Sequence, residues 1–240
     1  MIPKFYAKLL SVVFTVISMN VVSSQERNSL DSNLKTVDKN EESIIRQFTF
    51  LELRGSNAFE ASAGSAIING DYPDPEFEVY FRVGYKYHLN NYLNVNFTYN
   101  KYNIAFKELF NEGYMSFDLN LELLLLPYKK FTPYIYAGGG YNASNSFENT
   151  ATKAQAGLGF EVLVANGVGL KLFGEYNYMF TDELDGRIAG ESDDTIMRMG
   201  LGVNIYFGGN KKKEALSKKM KTVFNSNRIL DANTSTTTDN

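Results

Sequence analysis

The run YMSFDLNLELLL (residues 114–125) decides the fold. Met115, Phe117, Leu119, Leu121, Leu123 and Leu125 share one parity, while Ser116, Asp118, Asn120 and Glu122 share the other. Successive side chains of a β-strand point to opposite faces, so this run is an extended strand with one apolar and one polar face. Strands of soluble sandwiches also alternate, but they rarely sustain six apolar positions on one face.

The same pattern recurs on either side. Residues 92–104 set Leu93, Val95, Phe97 and Tyr99 against Asn94, Asn96, Thr98 and Asn100. Residues 195–207 set Met197, Met199, Leu201, Val203, Ile205 and Phe207 against Arg198, Gly200, Gly202, Asn204 and Tyr206. With further segments at 57–68, 77–88, 131–144, 151–164 and 168–180, eight strands of 12 to 14 residues can be drawn. A tilted strand needs about 9 to 11 residues to cross a bilayer. Short connections (89–91, 127–130, 165–167) alternate with longer ones (69–76, 105–113, 145–150, 181–194). Short turns on the periplasmic side and long loops outside are the pattern of outer-membrane barrels, and an even strand count returns both ends of the barrel to the periplasm. The expected fold is therefore all-β, an eight-stranded antiparallel up-and-down transmembrane β-barrel in the bacterial outer membrane.

Outside the barrel the chain changes character. Residues 1–24 read as a secretory signal peptide: Lys4 and Lys8 precede an apolar run, and Val22 and Ser24 stand at the −3 and −1 positions of a cleavage site before Gln25. Residues 25–47 are polar and read as a periplasmic linker with at most a brief helix. The barrel is assigned to 48–209. Residues 210–240 form a tail, basic at Lys211, Lys212, Lys213, Lys218, Lys219 and Lys221 and then Ser/Thr-rich. Leu216, Met220, Val223 and Phe224 have helical spacing there, so an amphipathic helix against a partner or an anionic surface is the alternative to a solvated tail.

Composition excludes several functions. The chain of 240 residues has no cysteine, hence no disulfide framework or thiolate site, and its net charge of −3 gives no basic face for nucleic acid. Hydrophobic content is 44%, too mild for a helical membrane protein but compatible with strands that show lipid only half their residues. No cofactor or metal is expected. The loop acids Asp71, Asp74, Glu76, Asp182, Glu183, Asp185, Glu191, Asp193 and Asp194 fit no EF-hand spacing and read as solvated groups, bridged by divalent cations to lipopolysaccharide. Gly138, Gly139 and Gly140 are not a phosphate loop, because no Lys-Ser/Thr follows them.

Parity assigns an ionic set to the lumen: Glu60, Glu78, Asp118, Glu122, Glu161 and Glu175 against Arg82, Lys86, Lys153, Lys171 and Arg198. An eight-stranded barrel is just wide enough for side chains to fill it, so these charges are expected to pair into a plug, with a polar pore as the alternative. His88, the sole histidine, has no adjacent Ser or carboxylate motif and reads as a rim residue, so no enzymatic activity is expected. Tyr87, Tyr92, Tyr128, Phe131 and Phe207 are assigned to a periplasmic aromatic girdle, and Tyr102, Phe106, Tyr114 and Phe180 to an outer one.

The stretches FTPYIYAGGGYNAS (131–144), AQAGLGFEV (154–162) and GLGVNIYFGG (200–209) resemble the small OmpA/OmpX-like outer-membrane β-barrel superfamily. Residues 54–86 and TDELDG (181–186) are similar to Bacteroidetes-type barrel domains that accompany curli-type secretion channels. The resemblance implies a Gram-negative envelope, contact with outer-membrane lipid and lipopolysaccharide, insertion by the barrel-assembly machinery, and a secretion-system partner. The expected role is structural, adhesive or secretion-accessory. Its alternatives are a narrow channel for ions or small solutes and a soluble lipocalin-like ligand-binding barrel.

Overall fold

A computed structural model describes residues 31–69, 75–106, 110–147, 149–180 and 194–235. The signal-peptide reading and the acids Asp71, Asp74, Asp182, Glu183, Asp185, Glu191 and Asp193 lie outside these residues. Eight strands, β1 (Asn57–Asn69), β2 (Glu78–His88), β3 (Leu93–Phe106), β4 (Phe110–Leu124), β5 (Phe131–Ser144), β6 (Thr150–Ala165), β7 (Val168–Met179) and β8 (Thr195–Phe207), form one closed barrel. Each pairs antiparallel with its sequence neighbour, and β1 closes on β8 from Asn57↔Phe207 to Asn69↔Thr195. Closure leaves no unpaired sheet edge.

Local chemistry explains the tight ends. Asn90 folds the β2–β3 turn, its side-chain oxygen accepting from the backbone N–H of Tyr92 and Leu93 at 2.8 Å each. Gly167 turns the β6–β7 connection at φ 81°, a conformation glycine adopts freely, and a register shift between Leu163 and Ala165 takes up the extra residue. One long connection proves short: β3 and β4 continue their ladder to Phe106↔Phe110, so residues 105, 106 and 110–113, read as loop, are strand. Asn103, Asn111 and Glu112 obscured this because they do not carry the apolar alternation.

Two helices flank the barrel in sequence, α1 (Asp31–Leu53) and α2 (Asn210–Ser235). Helix thus extends through residues 48–53, where the sequence reading began the barrel, and through most of the basic tail. The residues from Ser43 onward form one compact unit. Within it, Phe50 and Arg54 lie one helical turn apart at the end of α1, and both are fully buried at the short-turn end of the barrel.

Alternation puts the apolar set outside. Phe59, Val83, Leu119, Leu121, Leu172 and Leu201 are each about half exposed or more on the outer wall. The soluble-barrel alternative required this set to face a ligand cavity; it faces outward. Near the short turns the outer wall is aromatic: Phe59 stacks on Phe207 at 4.9 Å, Tyr92 meets Tyr128 edge-on at 5.7 Å, and Phe131 stacks on Phe160 at 5.6 Å. At the loop end Phe180 is exposed, but Tyr102, Phe106 and Tyr114, assigned to an outer girdle, are buried inside. Their even parity matches that of Asn100 and Ser116, so the strand's alternation, not the aromatic preference for interfaces, decides their side.

Candidate functional site

The lumen is the site that parity predicted, and it is filled. At the short-turn end Arg54 enters from α1. Its guanidinium pairs with Glu161 at 2.8 Å and donates to the Pro127 carbonyl at 2.8 Å and to Thr132 Oγ1 at 2.8 Å. Glu161 also accepts from Asn204 Nδ2 at 2.6 Å and from the Tyr206 hydroxyl. Arg54 therefore ties the helix end, the β4–β5 turn and β6 together.

Above this floor, Lys86 pairs with Glu122 at 2.7 Å and lies 3.6 Å from Glu60, which Lys171 meets at 2.5 Å. Asn94 and Asn96 donate to Glu122 at 3.0 Å and Glu60 at 3.1 Å. In the next layer Arg82 donates to Glu175 at 2.5 Å and to Asn100 at 2.8 Å, and the Tyr136 hydroxyl donates to the same Glu175 oxygen at 2.6 Å. Arg82 also lies 4.5 Å over the Phe173 ring. Arg198 pairs with Glu175 through Nε and with Asp118 at 2.9 Å. Lys153 joins Asp118 at 2.9 Å and donates to Asn177 at 2.8 Å. Toward the loops the charges give way to Ile68, Tyr102, Ile104, Phe106, Tyr114 and Ile196, all buried in one apolar cluster.

The strands are shaped to hold this packing. Gly157 and Gly159 of β6 face inward opposite Tyr136 and Tyr134, and a Cβ at either position would lie 2.4 to 2.5 Å from atoms already in place. The two tyrosine rings stack at 6.1 Å across the space the glycines leave.

Ten of the eleven charged residues assigned to the lumen, Glu60, Arg82, Lys86, Asp118, Glu122, Lys153, Glu161, Lys171, Glu175 and Arg198, are buried there and brought into contact. Glu78 is only half-buried at the loop end of β2, outside the network among the described residues. Arg54 is the missing member. It lies on no strand, so parity is silent about it, and only its one-turn spacing from Phe50 hinted that it shared a buried face. His88 is also corrected: it is 5% exposed, points inward, and packs between Phe50 (5.1 Å) and Tyr206 (5.7 Å) instead of lying on the lipid-facing rim.

A closed antiparallel barrel of eight strands, apolar outside and densely ionic inside, is the fold of the small outer-membrane barrels. No protein-family model matches the chain, and no curated protein does. Among solved structures it is similar to Neisserial surface protein A, with 17% identity over 63% of this chain and 97% of that one and a TM-score of 0.53. Further likenesses are to Ail, the attachment invasion locus protein of Yersinia pestis (16% identity, 63% and 97% covered, TM-score 0.45), and to OprG from Pseudomonas aeruginosa (11%, 63% and 97%, TM-score 0.43). At 17% identity the likeness to Neisserial surface protein A is one of fold.

Proposed function

We propose that the protein is a closed, non-enzymatic integral barrel of the bacterial outer membrane, with a structural, adhesive or secretion-accessory role exercised at its two ends and not through its lumen. The observation that carries this reading is the lumen itself, in which buried ion pairs and hydrogen bonds succeed one another from Arg54 to Lys153. A conducting path requires these pairs to part, and separating desolvated opposite charges costs several kcal/mol per ion. The apolar outer wall supports insertion among lipid and lipopolysaccharide, with the short-turn end in the periplasm and the barrel-assembly machinery as the partner in insertion. The non-enzymatic reading rests on the packing of His88, whose ring lies between Phe50 and Tyr206 and meets no hydroxyl among the described residues.

The test is fractionation of the native host, mobility of heated and unheated protein on SDS gels, and conductance in planar bilayers. Outer-membrane recovery, a heat-dependent shift and a silent bilayer are expected. Steady unitary conductance would overturn the closed-barrel reading in favour of the channel alternative.

A further inference from the structure

The short-turn end carries a second feature that the filled lumen does not use. A groove of about 370 Å³ opens between the end of α1, the β2–β3 turn and the first turns of α2. That volume lies within the range of about 300 to 1,000 Å³ common for small-molecule sites. Phe50 and Leu51 of α1 and Leu216 of α2 supply apolar wall, and His88 also lines it. His88 is only 5% exposed, and apart from a loose contact with the Ser56 backbone, which lines the same groove, its ring nitrogens make no hydrogen bond among the described residues. An imidazole always carries a donor, and a buried donor without a partner is costly unless something else meets it. The Phe50 and Tyr206 rings hold it in place.

The rim is one-signed. Lys212 and Lys219 are seven residues apart and therefore share a face of α2, with Leu216 between them. Both are exposed and line the groove, and no carboxylate does so among the described residues. The neighbouring Lys218 is occupied by Glu214 at 2.9 Å, and Lys213 lies over Phe48 at 5.3 Å. A patch with apolar wall, two cations and a buried imidazole whose ring nitrogens are not fully satisfied is complementary to one kind of molecule. We propose that this groove binds a small amphipathic anion, a short acyl-type chain ending in a carboxylate or phosphate, with Lys212, Lys219 and His88 facing polar groups and Phe50, Leu51 and Leu216 contacting the chain. The site is independent of whether the barrel conducts.

The sole histidine gives a direct reporter. Protein carrying isotope-labelled histidine, in phospholipid nanodiscs, is titrated with octanoate from solution, and separately with lysophosphatidic acid incorporated in the bilayer. A saturable shift of the His88 ring resonances with octanoate supports a soluble anion as ligand; one seen only with the bilayer-borne anion supports a lipid source. In Lys212→Gln/Lys219→Gln, on an exposed helix face and checked for heat-dependent gel mobility, affinity is expected to fall by about tenfold or more, the loss typical of charge-assisted contacts. Leu216→Glu is expected to abolish the saturable shift. A shift with neither anion overturns the proposal, as do an unchanged response in the double lysine variant and an equal response to octanol or to inorganic phosphate alone.

Discussion

Replacing Glu175 by alanine removes the carboxylate on which two guanidiniums converge. It accepts from Arg82 Nη2 at 2.5 Å, from the Tyr136 hydroxyl at 2.6 Å and from Asn177 Nδ2 at 3.2 Å, and it pairs with Arg198 Nε. Its side chain is fully buried. Without it, Arg82 keeps Asn100 and a longer contact to Glu60 at 3.8 Å, and Arg198 keeps Asp118. Removing one partner of a buried pair costs about 3 to 5 kcal/mol, whereas losing one end of an exposed pair costs about 1 kcal/mol or less. The partial fallback contacts put the expected loss for Glu175→Ala near the lower end, about 3 kcal/mol. Glu175→Gln keeps the shape and one acceptor, so a smaller loss is expected. The double change Arg82→Met/Glu175→Leu removes both charges together and should recover much of the stability. Reversible urea unfolding in detergent, followed by circular dichroism and by unheated gel mobility, measures all three. A loss below about 1 kcal/mol for Glu175→Ala would refute the reasoning, because it is the signature of a solvated pair and hence of a hydrated lumen.

Other parts of the barrel make separate predictions. Leu119→Arg, on the outer wall midway along β4, should cost about 2 to 4 kcal/mol in lipid, measured by the same unfolding assay in bilayers, if that wall faces hydrocarbon. Arg54→Ala should cost about 3 kcal/mol by leaving Glu161 unpaired, and should expose the β4–β5 turn at Lys129 and Lys130 to trypsin, read by limited proteolysis. Gly157→Val forces a side chain into the Tyr136 ring, and a loss of about 1 to 3 kcal/mol from overpacking is expected in thermal denaturation, partly relieved by Tyr136→Ala.

Parity made the barrel legible. The alternation in 114–125 specifies which side chains face which way, and closure into eight strands follows once the same period recurs eight times. It also assigned Glu60, Arg82, Lys86, Asp118, Glu122, Lys153, Glu161, Lys171, Glu175 and Arg198 to one interior, although nothing in the sequence showed which charge would meet which. Pairing depends on the register between strands: Asp118 of β4 and Lys153 of β6 both stand level with Gly140 of β5 and meet over it, whereas Lys171 of β7 meets Glu60 of β1 past β8, two residues off its own row. Where residue preference and strand parity disagree, parity decides the side. Aromatic character near strand ends points Tyr102, Phe106 and Tyr114 to an outer girdle, and a place at the end of its strand points His88 to a rim. All four occupy inward positions of their own strands.

Parity gives a face but not a depth, and it says nothing beyond the strands. Glu78 has inward parity but stands at the loop end of β2, where only part of the side chain is covered. Arg54 has no strand parity, yet it is the group that ties the lumen's short-turn end shut. Its guanidinium bonds two turn carbonyls, Pro127 and Lys129, in addition to Glu161. Those carbonyls are unpaired by any ladder, so a planar cation with several donors is the side chain suited to satisfy them while neutralising the carboxylate. The helix end that carries Arg54 also carries Phe50, which forms part of the wall of the groove beneath His88. Closing the lumen and building the groove are thus two consequences of one placement: the last turn of α1 against the short turns of the barrel.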